Sequence, residues 1–272
     1  MKKERILIAV KTYPTLSKKY TELVCTAGFR EDGSWIRLYP SPFRFLEESQ
    51  RYKKYQWIEL EIGENPTDHR PESYRPLNID DITLGDCIPT DRNWEERRKF
   101  IFANNTVHTN LETIIEGAKS NQYSLVIFKP KQIKDFVVEA VNREWELSRK
   151  EAIEAALKQG SLFEEHDKQD FKLMPKLPYK FSYRFTDDED KESTLMIEDW
   201  EIGQLYWNCL NTSNSEKEAI DKVKQKYFDD FALTKDIYLF LGTTYEWHKR
   251  AKNPYVIIGV FYPKKIIQES LF

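Results

Sequence analysis

Alternating hydrophobic and polar positions predict a compact antiparallel β unit in the first sixty residues. Four segments have the pattern of strands: residues 5–11, 20–29, 34–39 and 56–62. The second and third flank Asp32-Gly33, a dipeptide that favours the type I′ turn of a two-residue β-hairpin. Together these segments predict a barrel-like arrangement of antiparallel strands.

Helical and extended patterns alternate in the rest of the chain. The proline-punctuated residues 65–90 predict loops. Capping boxes predict helix starts at 109–112, 148–151 and 215–218, and the helix begun by the second continues through Leu157 and ends at Gly160. A further helix is predicted near 199–209, and the one that begins at 215 is expected to reach residue 231. Strands are predicted at 124–129, 133–141, 180–185, 194–198, 237–242 and 255–261. The order predicts an α+β fold, with helices inserted after the β unit and a helix-and-hairpin C-terminal half.

A domain boundary is predicted at residues 163–178, which are polar and then proline-rich. The interpretation is a β-rich N-terminal unit with added helices at 1–162 and an α+β unit at 179–272. One continuous domain is the alternative for a chain of 272 residues.

Composition narrows the classes of protein that this chain can represent. Hydrophobic residues make up 40% and charged residues 32%, and the net charge is −3, so a basic site has to be local. No apolar run approaches the roughly 18 residues of a membrane span, and Lys11 interrupts the short apolar run that follows the basic N-terminus. Three widely separated cysteines are typical of a reducing compartment. We therefore expect a cytoplasmic protein without a membrane partner.

The hairpin around Asp32-Gly33 offers a candidate nucleic-acid surface. A two-residue turn would place Trp35, Arg37 and Tyr39 on one face and Ile36 and Leu38 in the core. Aromatic rings stack on bases while arginines hold phosphates, and residues 1–60 carry twelve Lys and Arg against seven Asp and Glu. The predicted contacts are Lys11, Arg30, Trp35, Arg37, Tyr39 and Arg44. The alternative is an ordinary sheet surface, with Trp35 beneath a later helix and Arg37 paired with a carboxylate.

The loop DHRPESYRP crowds polar side chains between prolines. His69, Arg70 and Arg75 are predicted to close over an anionic ligand from this loop. Asp68, His69 and Glu72 could ligate a metal, but no second group at ligand spacing supports that interpretation. A network of internal ion pairs is the alternative.

Two C-terminal segments supply secondary candidates. Asp199 and Glu201 follow a predicted strand, where Asp199 suits a helix N-cap and the pair could instead hold a cation for a nuclease. The corner GTTYEWHKR offers Thr243, Thr244, His248 and Arg250 as phosphate contacts, against a simpler turn with a basic surface helix. The sequence lacks GxSxG, HExxH, paired CxxC, GxGxxG and P-loop motifs. No cofactor and no metal are predicted.

Several phrases of the sequence resemble an uncharacterised bacterial protein family. They are KTYP, ELVCTAGF, DGSWIRLYP and ENPTDHRPESY near the start, with IEDWEIGQLYW and YLFLGTTYEWHK later in the chain. The resemblance carries no established activity, and it favours functions related to mobile elements and nucleic acids.

These observations predict a protein that binds nucleic acid or a nucleotide without catalysis of its own. One alternative is a metal-dependent enzyme acting on the same ligands, with acid–base groups or metal ligands from Asp68, His69 and Glu72 or from Asp199 and Glu201. Another is a protein-interaction subunit of a larger bacterial complex, with its aromatic patches buried against a partner.

Overall fold

A computed structural model gives the arrangement of most of the chain. The residues it describes are 3–17, 21–41, 43–79, 81–147, 151 and 174–266. Apart from Glu151, the predicted helix from Ser148 to Gly160 lies outside the described residues, and so does most of the predicted linker at 163–178.

The N-terminal strands close into a five-stranded barrel. Its strands, in order around the barrel, are β1 (Lys3–Lys11), β4 (Thr26–Arg30), β5 (Trp35–Leu38), β7 (Ser73–Pro76) and β6 (Gln56–Glu64). The barrel closes because β6 pairs back onto β1, from Leu7 opposite Trp57 to Lys3 opposite Glu61. The β5–β7 pair is parallel and the other pairings are antiparallel. The predicted barrel-like β unit is confirmed, with one parallel pair added.

Short elements surround the barrel. They are β2 (Thr15–Ser17), β3 (Thr21–Leu23), β8 (Thr83–Cys87) and the 3₁₀ turns Phe43–Phe45 and Glu48–Gln50. Strand β8 pairs with β6 in an antiparallel direction. Strands β7 and β8 lie within the segment predicted as loop. Their sequences, SYRP and TLGDC, lack a continuous apolar run, and four of the five residues of β8 are exposed.

The turn of the opening hairpin differs from the predicted type. Arg30 and Ser34 are the closing pair, with the Arg30 N–H donating to the Ser34 carbonyl at 2.9 Å, so the loop has three residues. Gly33 adopts a φ of 83°, whereas Asp32 has no positive φ, which a type I′ turn requires. The longer loop shifts the strand pairing by one residue. Trp35 therefore pairs with Phe29, and Arg37 pairs with Ala27. The prediction of a two-residue turn at Asp32-Gly33 is therefore wrong.

The remaining elements form two sheets and four α-helices in the described part of the chain. The helices are α1 (Asp91–Ala103), α2 (Leu111–Lys119), α3 (Trp200–Asn211) and α4 (Glu216–Lys224), which continues as the π-helix Gln225–Ala232. One sheet has the order β15 (Tyr255–Phe261), β14 (Tyr238–Thr243), β10 (Leu125–Phe128) and β9 (Val107–His108). The other has β11 (Gln132–Ala140), β12 (Tyr179–Thr186) and β13 (Glu192–Met196). The mixed α+β class is confirmed.

The start of α2 departs by one residue from the predicted capping box. Asn110 is the N-cap, and its side chain accepts from the Thr113 N–H, while Thr109 donates to Asp188. Ser215 caps α4 as predicted, accepting from the Glu218 N–H at 3.2 Å. No helix in the described ranges is long and apolar enough to cross a membrane.

The outer surface of the barrel shares a core with the four-stranded sheet. Phe29 and Trp35 contact Phe240 of β14, with ring centroids 6.1 and 5.4 Å apart. On the opposite face of the hairpin, Ile36 and Leu38 belong to the core inside the barrel. Both faces of β5 are buried as a result. Strands from both sides of residues 163–178 also pair, β10 with β14 and β11 with β12, and the predicted division into 1–162 and 179–272 stays a prediction.

Candidate functional site

A cavity of about 400 Å³ lies where the barrel meets the end of β14. We call it the inner cavity. The barrel side contributes Thr12, Leu23, Cys25, Arg37 and Tyr39 to its lining, and the β14–β15 side contributes Gly242, Thr243, Thr244, Val256 and Ile258. The arginine of the opening hairpin and the GTT corner therefore lie in one site, together with Arg70 from the intervening loop.

Arg37 is the most deeply buried charge of the inner cavity, with 1% of its surface exposed. Its guanidinium donates to the Ser124 hydroxyl at 2.6 Å and makes longer contacts, at 3.4 Å, with the Ser73 hydroxyl and the Ser124 carbonyl. Ser124 in turn donates to Glu72 at 2.6 Å. Burial, and then the charge of Arg70, lower the pKa of Arg37.

Arg70 connects the loop after β6 to the end of β14. It forms a two-point ion pair with Asp68, at 2.9 and 2.6 Å, and donates to the Thr243 carbonyl at 2.6 Å. Burial raises the pKa of Asp68, but the hydrogen bonds and charge of Arg70 outweigh it, and the pKa is lowered overall. Asp68 and Arg70 form an internal ion pair, which was the alternative interpretation of this loop. His69, which lies between them in the sequence, is exposed.

His248 anchors the loop that follows β14. It is fully buried, with Nδ1 2.8 Å from the Thr243 hydroxyl and Nε2 2.9 Å from Asn121 Oδ1. Because Asn121 donates from its amide nitrogen to the His69 carbonyl, its oxygen accepts from Nε2–H, and Nδ1 accepts from Thr243. Burial, followed by the charge of Arg70, lowers the pKa of His248 to about 4. The prediction of His248 as a surface phosphate contact is wrong, because the ring is buried and neutral.

A second cavity of about 450 Å³ continues outward from this loop. His69, Tyr245, Glu246, Lys249 and Arg250 line it, and Tyr245 and Glu246 line the inner cavity as well. We call this the outer cavity, and the two together the cleft. In the part of the chain that the structure describes, no side chain pairs with Lys249 or Arg250, which are both exposed. The outer cavity therefore presents two cations without counter-ions.

Two large aromatic side chains of the same loop are exposed to solvent. Tyr245 is 48% exposed and Trp247 is 50% exposed, and both line the inner cavity. Residues 245–250 form hydrogen-bonded turns, with the Arg250 and Ala251 N–H groups donating to the Trp247 carbonyl. Partly exposed aromatic rings beside unpaired cations can stack a base and attract a phosphate.

Glu198 contributes a second carboxyl group to the inner cavity, beside that of Glu246. Its backbone is fixed between the two halves of the site, because its N–H donates to Ile257 and its carbonyl accepts from Tyr13, both at 2.8 Å. Within the described residues nothing donates to its half-buried carboxylate. Burial raises the pKa of Glu198 to about 7, a value at which a carboxyl group can give and take a proton.

Several residues predicted for the hairpin surface lie outside the cleft. Trp35 is 8% exposed and packs on Phe29 and Phe240, so the prediction of an exposed stacking face is wrong. Arg30 pairs with Glu4 at 3.2 Å, and Arg44 pairs with Glu22 at 2.5 Å. These two arginines are held by carboxylates of β1 and β3.

The other predicted basic residues of this region are also separate from the cleft. Lys11 donates to the Tyr52 carbonyl at 3.0 Å and lies over the Phe43 ring. Burial, and then the charge of Lys54, lower the pKa of Lys11 to about 8. Arg75 is exposed on β7 and does not line either cavity.

Asp199 and Glu201 have a structural partner. Asp199 caps α3 as predicted, accepting from the Glu201 N–H at 3.2 Å. Lys54 lies 2.9 Å from Asp199 and 3.0 Å from Glu201. No group of three metal-ligating side chains occurs in the described ranges. The carboxylates proposed for a metal are instead engaged, Asp68 by Arg70, Glu72 by Ser124 and Asp199 by Lys54.

Sequence reasoning missed Glu198, Tyr245 and Trp247 as site residues. Asp199 and Glu201 were chosen from this segment instead of Glu198. Of these three residues, Glu198 is the one that lines the inner cavity. Tyr245 and Trp247 carried a usable signal, because they alternate with charged residues in a segment that follows an apolar strand.

Two protein-family models match consecutive parts of the chain. Domain of unknown function DUF8758 matches residues 2–103, which include the barrel and α1, and domain of unknown function DUF8757 matches residues 104–272. No curated protein matches the sequence. The resemblance to an uncharacterised family is confirmed, and no activity comes with it. The chain belongs to the DUF8757 family, whose function is unknown, and carries a DUF8758 domain before it.

Proposed function

We propose that the cleft binds nucleic acid or a nucleotide. The observation that carries this proposal is the outer loop, where exposed Tyr245 and Trp247 stand beside the unpaired cations Lys249 and Arg250. Aromatic faces and unpaired cations on one loop are the combination that single-stranded nucleic acids require. The net charge of −3 gives no general attraction for polyanions, so affinity has to come from this local patch.

The proposal moves the stacking role from the opening hairpin to the outer loop. Tyr245 and Trp247 stack the bases, and Lys249 and Arg250 contact the phosphates. Arg37 and Arg70 line the inner cavity, and the hydrogen bond between His248 and Thr243 keeps the loop in place. Glu246 is the acidic member of the outer cavity and opposes a polyanion. Its charge would favour ligands that run along the basic side of the loop.

Fluorescence anisotropy with labelled single-stranded RNA, single-stranded DNA and duplex DNA tests the proposal. The test variant is Lys249→Ala/Arg250→Ala, and the matched control is Lys134→Ala, an exposed lysine on β11 that lines neither cavity. Each phosphate contact contributes about 0.7 to the slope of log K against log salt for single strands. Losing two contacts should therefore lower the slope by about 1.4, two contacts at about 0.7 each.

The expected result is binding of a single strand that weakens with salt and is reduced in the double variant but not in Lys134→Ala. Absence of binding to all three nucleic acids at low salt would overturn the proposal. Equal affinities of the wild type and the double variant would show that the outer loop is not the binding surface.

A second candidate function is acid–base catalysis on the bound ligand, and Glu198 favours it. A carboxyl group with a pKa of about 7, without a hydrogen-bond donor from the described residues, lines the cavity that also contains Arg37. Turnover of a bound oligonucleotide that disappears in Glu198→Gln while its binding persists would support an enzyme. Intact oligonucleotide after prolonged incubation with the wild type would count against one.

A further inference from the structure

Two residues that line the inner cavity each carry a buried polar atom without a hydrogen-bond partner. The two atoms are Arg37 Nε and the Thr244 hydroxyl, both buried and unpaired within the described part of the chain. Arg37 and Thr244 come from opposite sides of the cavity, one from β5 and one from the residue after β14. Buried polar groups are nearly always satisfied in native proteins, so two orphans in one cavity suggest a partner that is bound in function.

The charge of Arg37 also lacks a direct counter-ion among the described residues. Its guanidinium donates to hydroxyl and carbonyl oxygens of Ser73 and Ser124, and Glu72 is reached only through Ser124. Arg70, which lines the same cavity, has its charge matched by Asp68. A buried charge without a hydrogen-bonded counter-ion is costly. An anionic ligand would satisfy both the charge and the orphaned N–H.

We propose that the inner cavity binds a phosphomonoester, the terminal phosphate of a nucleotide or of a nucleic-acid strand. This inference rests on the proposed function and adds the part of the ligand that enters the cavity. Arg37 and Thr244 donate to phosphate oxygens, and the adjoining base lies towards Tyr245, which lines both cavities.

The size of the inner cavity favours a chain end over a chain interior. About 400 Å³ lies near the small end of the roughly 300–1,000 Å³ range of small-molecule sites. Such a volume suits one terminal nucleotide unit. A terminal phosphate also carries about −1.5 to −2 charges near neutral pH, more than the single charge of a phosphodiester.

Glu198 is compatible with a phosphate in the same cavity when its carboxyl group is protonated. With a pKa of about 7, a large share of the molecules carry the proton at neutral pH, and an anion nearby increases that share. The protonated carboxyl then donates a hydrogen bond to a phosphate oxygen. The other titratable groups that line the cavity are Cys25, Arg37, Tyr39, Arg70, Tyr245 and Glu246.

Competition for a labelled single strand tests the inference and separates the possible sources of the phosphate. The competitors are one oligonucleotide with a 5′-phosphate, with a 3′-phosphate or with two hydroxyl ends, and a nucleoside monophosphate beside its nucleoside. We expect one phosphorylated end to compete at least tenfold better than the hydroxyl-ended strand. Thr244→Val, which removes the hydroxyl at nearly constant shape, and Arg37→Lys should reduce that preference, and Thr194→Val on β13 should not.

The outcomes of this experiment distinguish the inference from the proposed function. If the three oligonucleotides compete equally, the phosphomonoester site is wrong although strand binding stands. If no strand binds, the proposed function fails, and calorimetry decides the inference alone. Binding of the nucleoside monophosphate but not of the nucleoside would support it, and binding of neither would overturn it. The wild-type comparisons hold even where Arg37→Lys fails to fold.

Discussion

Replacing Arg70 by methionine is expected to destabilise the protein by about 3–5 kcal/mol. The Arg70 and Asp68 side chains are only 4% and 2% exposed, and they meet through two hydrogen bonds. Arg70→Met leaves the Asp68 carboxylate buried without a counter-ion, and breaking a buried pair in this way costs about 3–5 kcal/mol. It also removes the hydrogen bond to the Thr243 carbonyl that joins the barrel to the second sheet.

Urea unfolding followed by tryptophan fluorescence measures this change, and a double variant identifies its cause. Asp68→Asn/Arg70→Met should lose less free energy of unfolding than the sum of the single variants, because neither charge is left alone. The matched control is Lys217→Met, which breaks an exposed pair with Asp221 (87% and 59% exposed) and should cost less than about 1 kcal/mol. If Arg70→Met cost no more than Lys217→Met, the ion pair would not be buried at the junction, and the described cleft would be wrong.

Three further predictions concern the cleft and the barrel. Trp247→Ala should weaken single-strand binding by about 1–3 kcal/mol in anisotropy titrations while leaving the urea midpoint unchanged, since the side chain is 50% exposed. Glu198→Gln should be more stable than the wild type at pH 8 and lose this advantage near pH 4.5. The reason is that the folded state retains a proton between the ordinary pKa of 4.5 and about 7, so wild-type stability falls as pH rises through that window. A difference independent of pH would refute that reasoning. Gly28→Ala should lower the free energy of unfolding by about 3 kcal/mol, because a Cβ there would lie 2.1 Å from the Leu7 carbonyl oxygen. An unchanged stability would contradict the β1–β4 register.

The sequence carried enough information for the element types but not for the environment of each strand face. Strand β5 alternates in the expected way, with Ile36 and Leu38 inside the barrel. The other face was expected to be exposed, yet Trp35 packs on Phe240, about two hundred positions later in the chain. Local periodicity cannot reveal that a distant strand covers the polar face. The alternative of Trp35 beneath a later element was closer, although that element is β14 and not a helix.

Several members of the cleft were predicted from the sequence, but their roles were not. Arg37, Tyr39, His69, Arg70, Thr243, Thr244, His248 and Arg250 were all chosen from the sequence and lie in or beside the cleft. Tertiary contacts decide which of these side chains are exposed. His248 is buried and hydrogen-bonded to Thr243, and Arg37 is a buried charge. Glu198 was missed because the orientation of one carboxyl group at the end of β13 depends on packing, which residue type does not encode.

Photocrosslinking tests most directly whether the outer loop binds nucleic acid. A single-stranded RNA with 5-iodouridine crosslinks to aromatic side chains that stack on it, and mass spectrometry of the digested complex identifies the residue. We expect crosslinks at Tyr245 or Trp247 that decline as salt rises. Crosslinks confined to other aromatic residues, or none at low salt, would contradict this expectation.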